Sequence, residues 1–96
     1  MSQPQDGQHS VYNAGDVIIS QGVKGDSAYY IEQGHVEILR EAGDGTLCRL
    51  GTRGAGTFIG EMALVDQEAR TATVRACEEC HLLEVTRADF ERRLDT

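Results

Sequence analysis

Short apolar runs punctuated by glycine dominate the first two thirds of the chain. Val17-Ile18-Ile19-Ser20 follows the turn-forming Asn13-Ala14-Gly15-Asp16 and is closed by Gln21-Gly22 and Lys24-Gly25-Asp26. Ser27 to Gln33 is rich in β-formers, among them Tyr29, Tyr30 and Ile31, until Gly34 breaks the run. From His35 to Arg40 apolar and polar residues alternate, which sets Val36 and Ile38 on one face of a strand. Gly43-Asp44-Gly45 supplies a hairpin turn, because glycine accepts positive φ without a Cβ clash. Thr46 to Leu50 is the return strand, with Leu47 and Arg49 alternating against Cys48 and Leu50. Gly51, Gly54 and Gly56 then read as an open connection.

The remainder changes character. All 11 glycines lie between Gly7 and Gly60, and the one proline is Pro4. Gly60 to Leu64 suits one short helical turn, and Arg70 to Ala76 is again β-rich. Cys80 to Val85 is a further strand, with Leu82 and Leu83 adjacent. Thr86 is placed to cap a helix over residues 87–94, with Asp89 as the return half of a capping box. Phe90 and Leu94 then share one face of that helix. Strands at short, even spacing with glycine turns predict a mainly β fold, an antiparallel double-stranded β-helix of the jelly-roll kind. A short cassette helix and a C-terminal helix complete it. Residues 1–11 are expected as a polar tail, and residues 12–96 as one domain.

Charge and composition narrow the function. The formal charge of −7, with a single lysine, argues against non-specific nucleic-acid binding, which needs clustered Lys and Arg. No apolar run approaches the roughly 18 residues of a membrane span, and residues 1–12 lack the basic-then-apolar order of a signal peptide. The expected compartment is the cytoplasm. Cys48, Cys77 and Cys80 are an odd set without an export signal, so ordinary thiols rather than a disulfide framework are expected. Cys77-Glu78-Glu79-Cys80-His81 has the spacing of a haem-attachment motif, but that chemistry needs an export route. A closed zinc site needs four ligands, more than this motif offers. His9, His35 and His81 are scattered and form no H-x-H pair, which argues against a metal-binding jelly-roll enzyme. No nucleophile–base pair stands out, so no catalytic role is expected.

One segment carries chemistry. Phe58-Ile59-Gly60-Glu61-Met62-Ala63-Leu64 is followed after a short loop by Arg70-Thr71-Ala72-Thr73-Val74. Gly60 allows a ligand close to the backbone, and the helical turn after it presents free N–H groups that suit a phosphate. Arg70 can meet that phosphate with a two-pronged, charge-assisted contact. An ionised Glu61 only accepts hydrogen bonds, so its partner is a donor such as a ribose hydroxyl. The set fits a phosphorylated sugar. A structural ion pair between Glu61 and Arg70 is the plainer alternative.

In this order of motifs the chain resembles the cyclic nucleotide-binding domains of catabolite-activator-type regulators, cyclic-nucleotide-dependent kinases and gated channels. The resemblance rests on F-I-G-E-M-A-L and R-T-A-T-V, and on Ala14-Gly15-Asp16-Val17-Ile18 and Gly25-Asp26-Ser27-Ala28-Tyr29-Tyr30-Ile31 upstream. Leu82-Leu83-Glu84-Val85 and Phe90 extend it downstream, so that it covers about residues 12–94. It implies a β-roll whose phosphate-binding cassette runs from Gly60 to Thr71. Glu61 would hold the ribose 2′-hydroxyl and Arg70 the cyclic phosphate, with Gly60, Met62, Ala63 and Thr71 contributing backbone or side-chain contacts. Thr71 fits that role only where loop becomes strand, since strict alternation would turn it away from Arg70.

The family's proline before the arginine is Ala69 here, and the loop carries Asp66 and Glu68. The chain ends at Thr96, before most of the family's lid helix. The function implied is a regulatory sensor that binds cAMP, or cGMP, as ligand and signals through its C-terminal helix to an output domain outside this chain. It would use no cofactor and no metal and would be a monomer as this fragment. The alternative is a β-roll that has lost nucleotide binding and serves as a protein-interaction domain.

Overall fold

The computed structural model describes residues 8–23, 27–60, 71–86 and 88–89. Eight strands run β1 (Gln8–Tyr12), β2 (Val17–Ile19), β3 (Ser27–Gln33), β4 (His35–Glu41), β5 (Leu47–Gly54), β6 (Phe58–Ile59), β7 (Thr73–Ala76) and β8 (Cys80–Thr86). They form two four-stranded antiparallel sheets, one in the order β1-β8-β3-β6 and the other β2-β7-β4-β5. This is the antiparallel roll that the glycine-punctuated pattern predicts.

The two inner faces share one core. From the first sheet come Ile31, Ile59, Cys80 and Leu82, and from the second Ile19, Val36, Val74 and Ala76. Directly opposed residues share a face, so Val36 with Ala76 and Ile38 with Val74 point inward. Glu37 and Arg75, paired between them, point outward and form an ion pair of 2.9 Å. The expected pairing of Val36 with Ile38 on one face therefore holds.

β8 lies between β1 and β3 and is filled on both faces. Leu82 points into the roll, while Leu83 and Val85 are buried with Ala28 on the opposite face. Adjacent apolar residues in a strand are the sign of that double burial. Tyr30 and Phe58 pack edge to face on the same outer side, with centroids 5.1 Å apart.

Three expectations change. The polar tail expected over residues 1–11 gives way at Gln8 to β1, because five residues of a polar segment pair in register with β8 from Gln8↔Glu84 to Tyr12↔Cys80. Backbone pairing here outweighs side-chain polarity. The return strand of the hairpin runs on to Gly54, so Gly51 and Gly54 belong to β5 rather than to an open connection. Finally, Ile38 pairs with Gly51 and Leu39 with Arg49, which leaves Leu50 as an extra residue and breaks the expected alternation. The turn at residues 43–45 is as expected, closed by Ala42 N–H to Thr46 O at 2.8 Å and Gly45 N–H to Ala42 O at 2.9 Å.

The two sheets come into close contact where β3 passes to β4 and β7 passes to β8. Gly34 makes the first passage with φ +98°, and a Cβ there would lie 2.6 Å from Glu79 O and 2.8 Å from Cys80 Sγ. Both conformation and space demand glycine. The Gly34→Ala chain is expected to lose about 2 kcal/mol or more of stability by urea unfolding, against about 1 kcal/mol for Gly56→Ala. Gly56 also has positive φ but open space around it. Equal losses would show that the close approach contributes nothing.

Candidate functional site

The cassette expected from the sequence starts and ends in different sheets. β6, at the edge of the first sheet, stops at Ile59, and the chain turns on Gly60 with φ +73°. A side chain rarely adopts that conformation, so the glycine of the G-E pair is required by the backbone itself. The chain re-enters at Thr71-Ala72 and continues as β7, which lies between β2 and β4 in the second sheet. The chain therefore passes from one sheet to the other between Gly60 and Thr71. Gly60 is half-buried and Thr71 exposed. Thr71 stands two residues before the strand begins, outside strict alternation, as its proposed role needs. Glu61, Met62, Ala63 and Arg70 lie outside the described residues, and so does the short helical turn expected at residues 60–64 after its first residue.

The landing point of the cassette is braced. Thr73 Oγ1 accepts the Gln21 N–H at 3.0 Å. The Gln21 side chain exchanges two hydrogen bonds with Glu41, donating from Nε2 to its carbonyl at 3.2 Å and accepting its N–H at 2.7 Å. One glutamine thus ties the ends of β2, β4 and β7 together. Thr73 thus serves as a structural acceptor.

Beside Gly60 the inner wall turns polar, a feature the sequence reading did not single out. Ile59 pairs with Tyr29, and Tyr29 pairs on its other side with Glu84. Ser27, buried on the same face, donates from Oγ to Glu84 Oε2 at 2.9 Å. Burial, then the neighbouring Glu84 carboxylate and Tyr12, raise the Tyr29 pKa. Alternation was the available signal: Ser27, Tyr29 and Ile31 fall on one face, opposite Leu82 and Glu84. The inner wall near the cassette therefore offers hydroxyl and carboxylate groups among apolar ones.

At the far end of β8, Thr86 and Asp89 form the expected capping box. Thr86 N–H donates to Asp89 Oδ2 at 3.3 Å, and Asp89 N–H to Thr86 Oγ1 at 3.2 Å. Residues 88–89 are helical. The rest of the C-terminal helix, including Phe90 and Leu94, lies outside the described residues. Among the described residues, no group of three or more His, Cys, Asp or Glu side chains could hold a metal ion. No helix among them is long and apolar enough to cross a membrane.

Two antiparallel four-stranded sheets, with a positive-φ glycine where the chain leaves the first for the second, define a β-roll module. The model of the cyclic nucleotide-binding domain family matches residues 9–96, and the chain belongs to that family. It is 37% identical over 87 residues to a cAMP-dependent protein kinase regulatory subunit of Schizosaccharomyces pombe, covering 91% of this chain and 20% of that protein. Among solved structures it is similar to the Thermus thermophilus catabolite activator protein, with 34% identity, a TM-score of 0.86 and coverage of 93% of this chain and 43% of that one. It is also similar to the cAMP-bound form of the EAL enzyme Bd1971, with 38% identity, a TM-score of 0.84 and coverage of 93% and 24%. The chain spans less than a third of the length of these curated relatives.

The raised Tyr29 pKa has a consequence for stability. A group that binds its proton more tightly when folded stabilises fully below its unfolded pKa, and that contribution is lost as the pH climbs through the folded value. Stability is therefore expected to fall as pH rises above 10.0, the ordinary tyrosine value. In Tyr29→Phe this part of the alkaline loss should disappear, read as a shallower fall of the urea midpoint with pH. An unchanged slope would contradict the polar wall described above.

Proposed function

We propose that this chain is a regulatory sensor that binds a 3′,5′-cyclic nucleotide and performs no chemistry on it. The observation that carries the reading is the cassette frame: a positive-φ Gly60 leaving one sheet, Thr71 entering the other, and the G-E…R-T residues in order between and around them. In this reading Arg70 pairs with the cyclic phosphate and Glu61 accepts from the ribose 2′-hydroxyl. Gly60, Met62, Ala63 and Thr71 supply the remaining contacts. Met62 and Ala63 do so through backbone N–H groups, since their side chains carry no strong donor.

cAMP is the favoured ligand and cGMP the second. Similar structures of one enzyme hold either nucleotide, and similar kinase regulatory subunits are named for cAMP. Signalling follows by population shift. Ligand contacts at Glu61 and Arg70 tighten the cassette and favour one position of the helix that starts at the Thr86–Asp89 box. Only a difference in ligand affinity between the two helix positions can move that equilibrium. The output domain lies outside this chain, as expected of a family whose relatives join this module to a kinase system or to a transporter ATPase.

Calorimetric titration of the chain with cAMP and cGMP tests the reading. Binding is expected for the unaltered chain, with cAMP tighter. Arg70→Ala should weaken both at least tenfold, since a charge-assisted hydrogen bond contributes about 1.5–3 kcal/mol. Equal affinity in the variant would remove the phosphate role of Arg70. No binding by a folded parent chain would favour the interaction-domain alternative.

A further inference from the structure

Away from the cassette, chemistry-bearing side chains concentrate at the turn between β7 and β8. Cys77 is exposed, and Cys80 is buried in the core. The His35 carbonyl oxygen accepts both the Cys77 N–H at 2.9 Å and the Cys80 thiol at 3.1 Å. The two groups thus lie within about 3 Å of one atom, and within roughly 6 Å of each other. The Cys80 sulfur also lies 3.3 Å from Glu78 O, so it packs against the backbone of the turn that carries Cys77. Two residues separate the cysteines, and the connection reverses from one sheet to the other.

The neighbouring side chains do not make this a metal centre. His35 Nδ1 is bonded to Glu78 at 2.7 Å and His81 Nε2 to Glu79 at 3.0 Å, and no metal-binding group of three occurs among the described residues. Nor is Cys80 activated by a cation: burial raises its pKa, outweighing the hydrogen bonds to the Glu78 and His35 backbone that act the other way.

We propose that Cys77 and Cys80 are a peroxide-responsive dithiol that closes into an intramolecular disulfide across the β7–β8 turn. The exposed Cys77, as thiolate, attacks one oxygen of hydrogen peroxide. The O–O bond breaks, Cys77 becomes a sulfenic acid, and the departing hydroxide takes up from solvent the proton that Cys77 released on ionising and leaves as water. Cys80 then attacks the Cys77 sulfur. The S–S bond forms, the S–O bond breaks, and the hydroxyl leaves with the Cys80 proton as a second water. Two thiols and one peroxide give one disulfide and two waters. Closure draws the Cys80 sulfur off the His35 carbonyl, at the point where the two sheets are joined. Cys48 takes no part: it pairs with Arg40, five residues along β4 from His35, or about 16 Å away.

The Cys48→Ser chain, altered at an exposed position, is treated with hydrogen peroxide, unfolded, alkylated and weighed by mass spectrometry. The expected product is a monomer lighter by two hydrogen atoms, with no alkylatable thiol, restored by dithiothreitol. With Cys77→Ser added, that product should vanish. Peptide mapping of the unaltered chain should give the same Cys77–Cys80 link without any substitution. Two alkylatable thiols after treatment, a sulfinic acid at Cys77, or a disulfide-linked dimer would each overturn the proposal.

Discussion

The roll depends on one crossing point. At Gly34 the chain leaves the first sheet for the second, and at residues 77–79 it comes back. The two passages lie against each other so closely that no Cβ fits at Gly34, and the carbonyl of His35 receives hydrogen bonds from both Cys77 and Cys80. Two sheets that met only through apolar faces could slide, because hydrophobic contact is non-directional. Here a left-handed glycine and a shared acceptor fix their relative register. The core residues Ile31, Val36, Ala76, Cys80 and Leu82 stand close to the crossing in sequence, so the packing and the hydrogen bonds enforce the same arrangement.

The cassette expected from the sequence runs between β6 and β7, apart in the chain order from the Gly34 and 77–79 passages. β6 has two residues and lies at a sheet edge. β7 has four and begins at a threonine held by Gln21. Such a division suits a sensor. In the reading proposed above, the scaffold would keep its shape while the ligand acts on the segment between the two strands.

Much of this was legible in the sequence. The alternation around Val36 and Ile38, the turn at Gly43-Asp44-Gly45 and the Thr86–Asp89 capping box all follow from local rules and are present. Gly60 was singled out for close approach, and its backbone is one that only glycine readily adopts. What escaped was non-local. β1 is polar, and its strand conformation comes from pairing with β8, some seventy residues away. Gly51 and Gly54 look like loop residues until β4 supplies a partner for their backbone. The polar wall of Ser27, Tyr29 and Glu84 needed the β3–β8 register before its members could be seen together. Glu61 and Arg70 rest on the motif alone and lie outside the described residues.

The bulge at Leu50 has a consequence for life in a crowded solution. β5 is the outer strand of its sheet and exposes most of its length, Leu47 and Leu50 included. A flat strand of that kind would be a template on which a second chain could lay its own backbone and begin a fibril. The extra residue bends and twists the strand, Gly51 and Gly54 carry no side chain to stack, and Arg49 and Arg53 place charge along it. What looks like a flaw in the hairpin keeps its open border from growing.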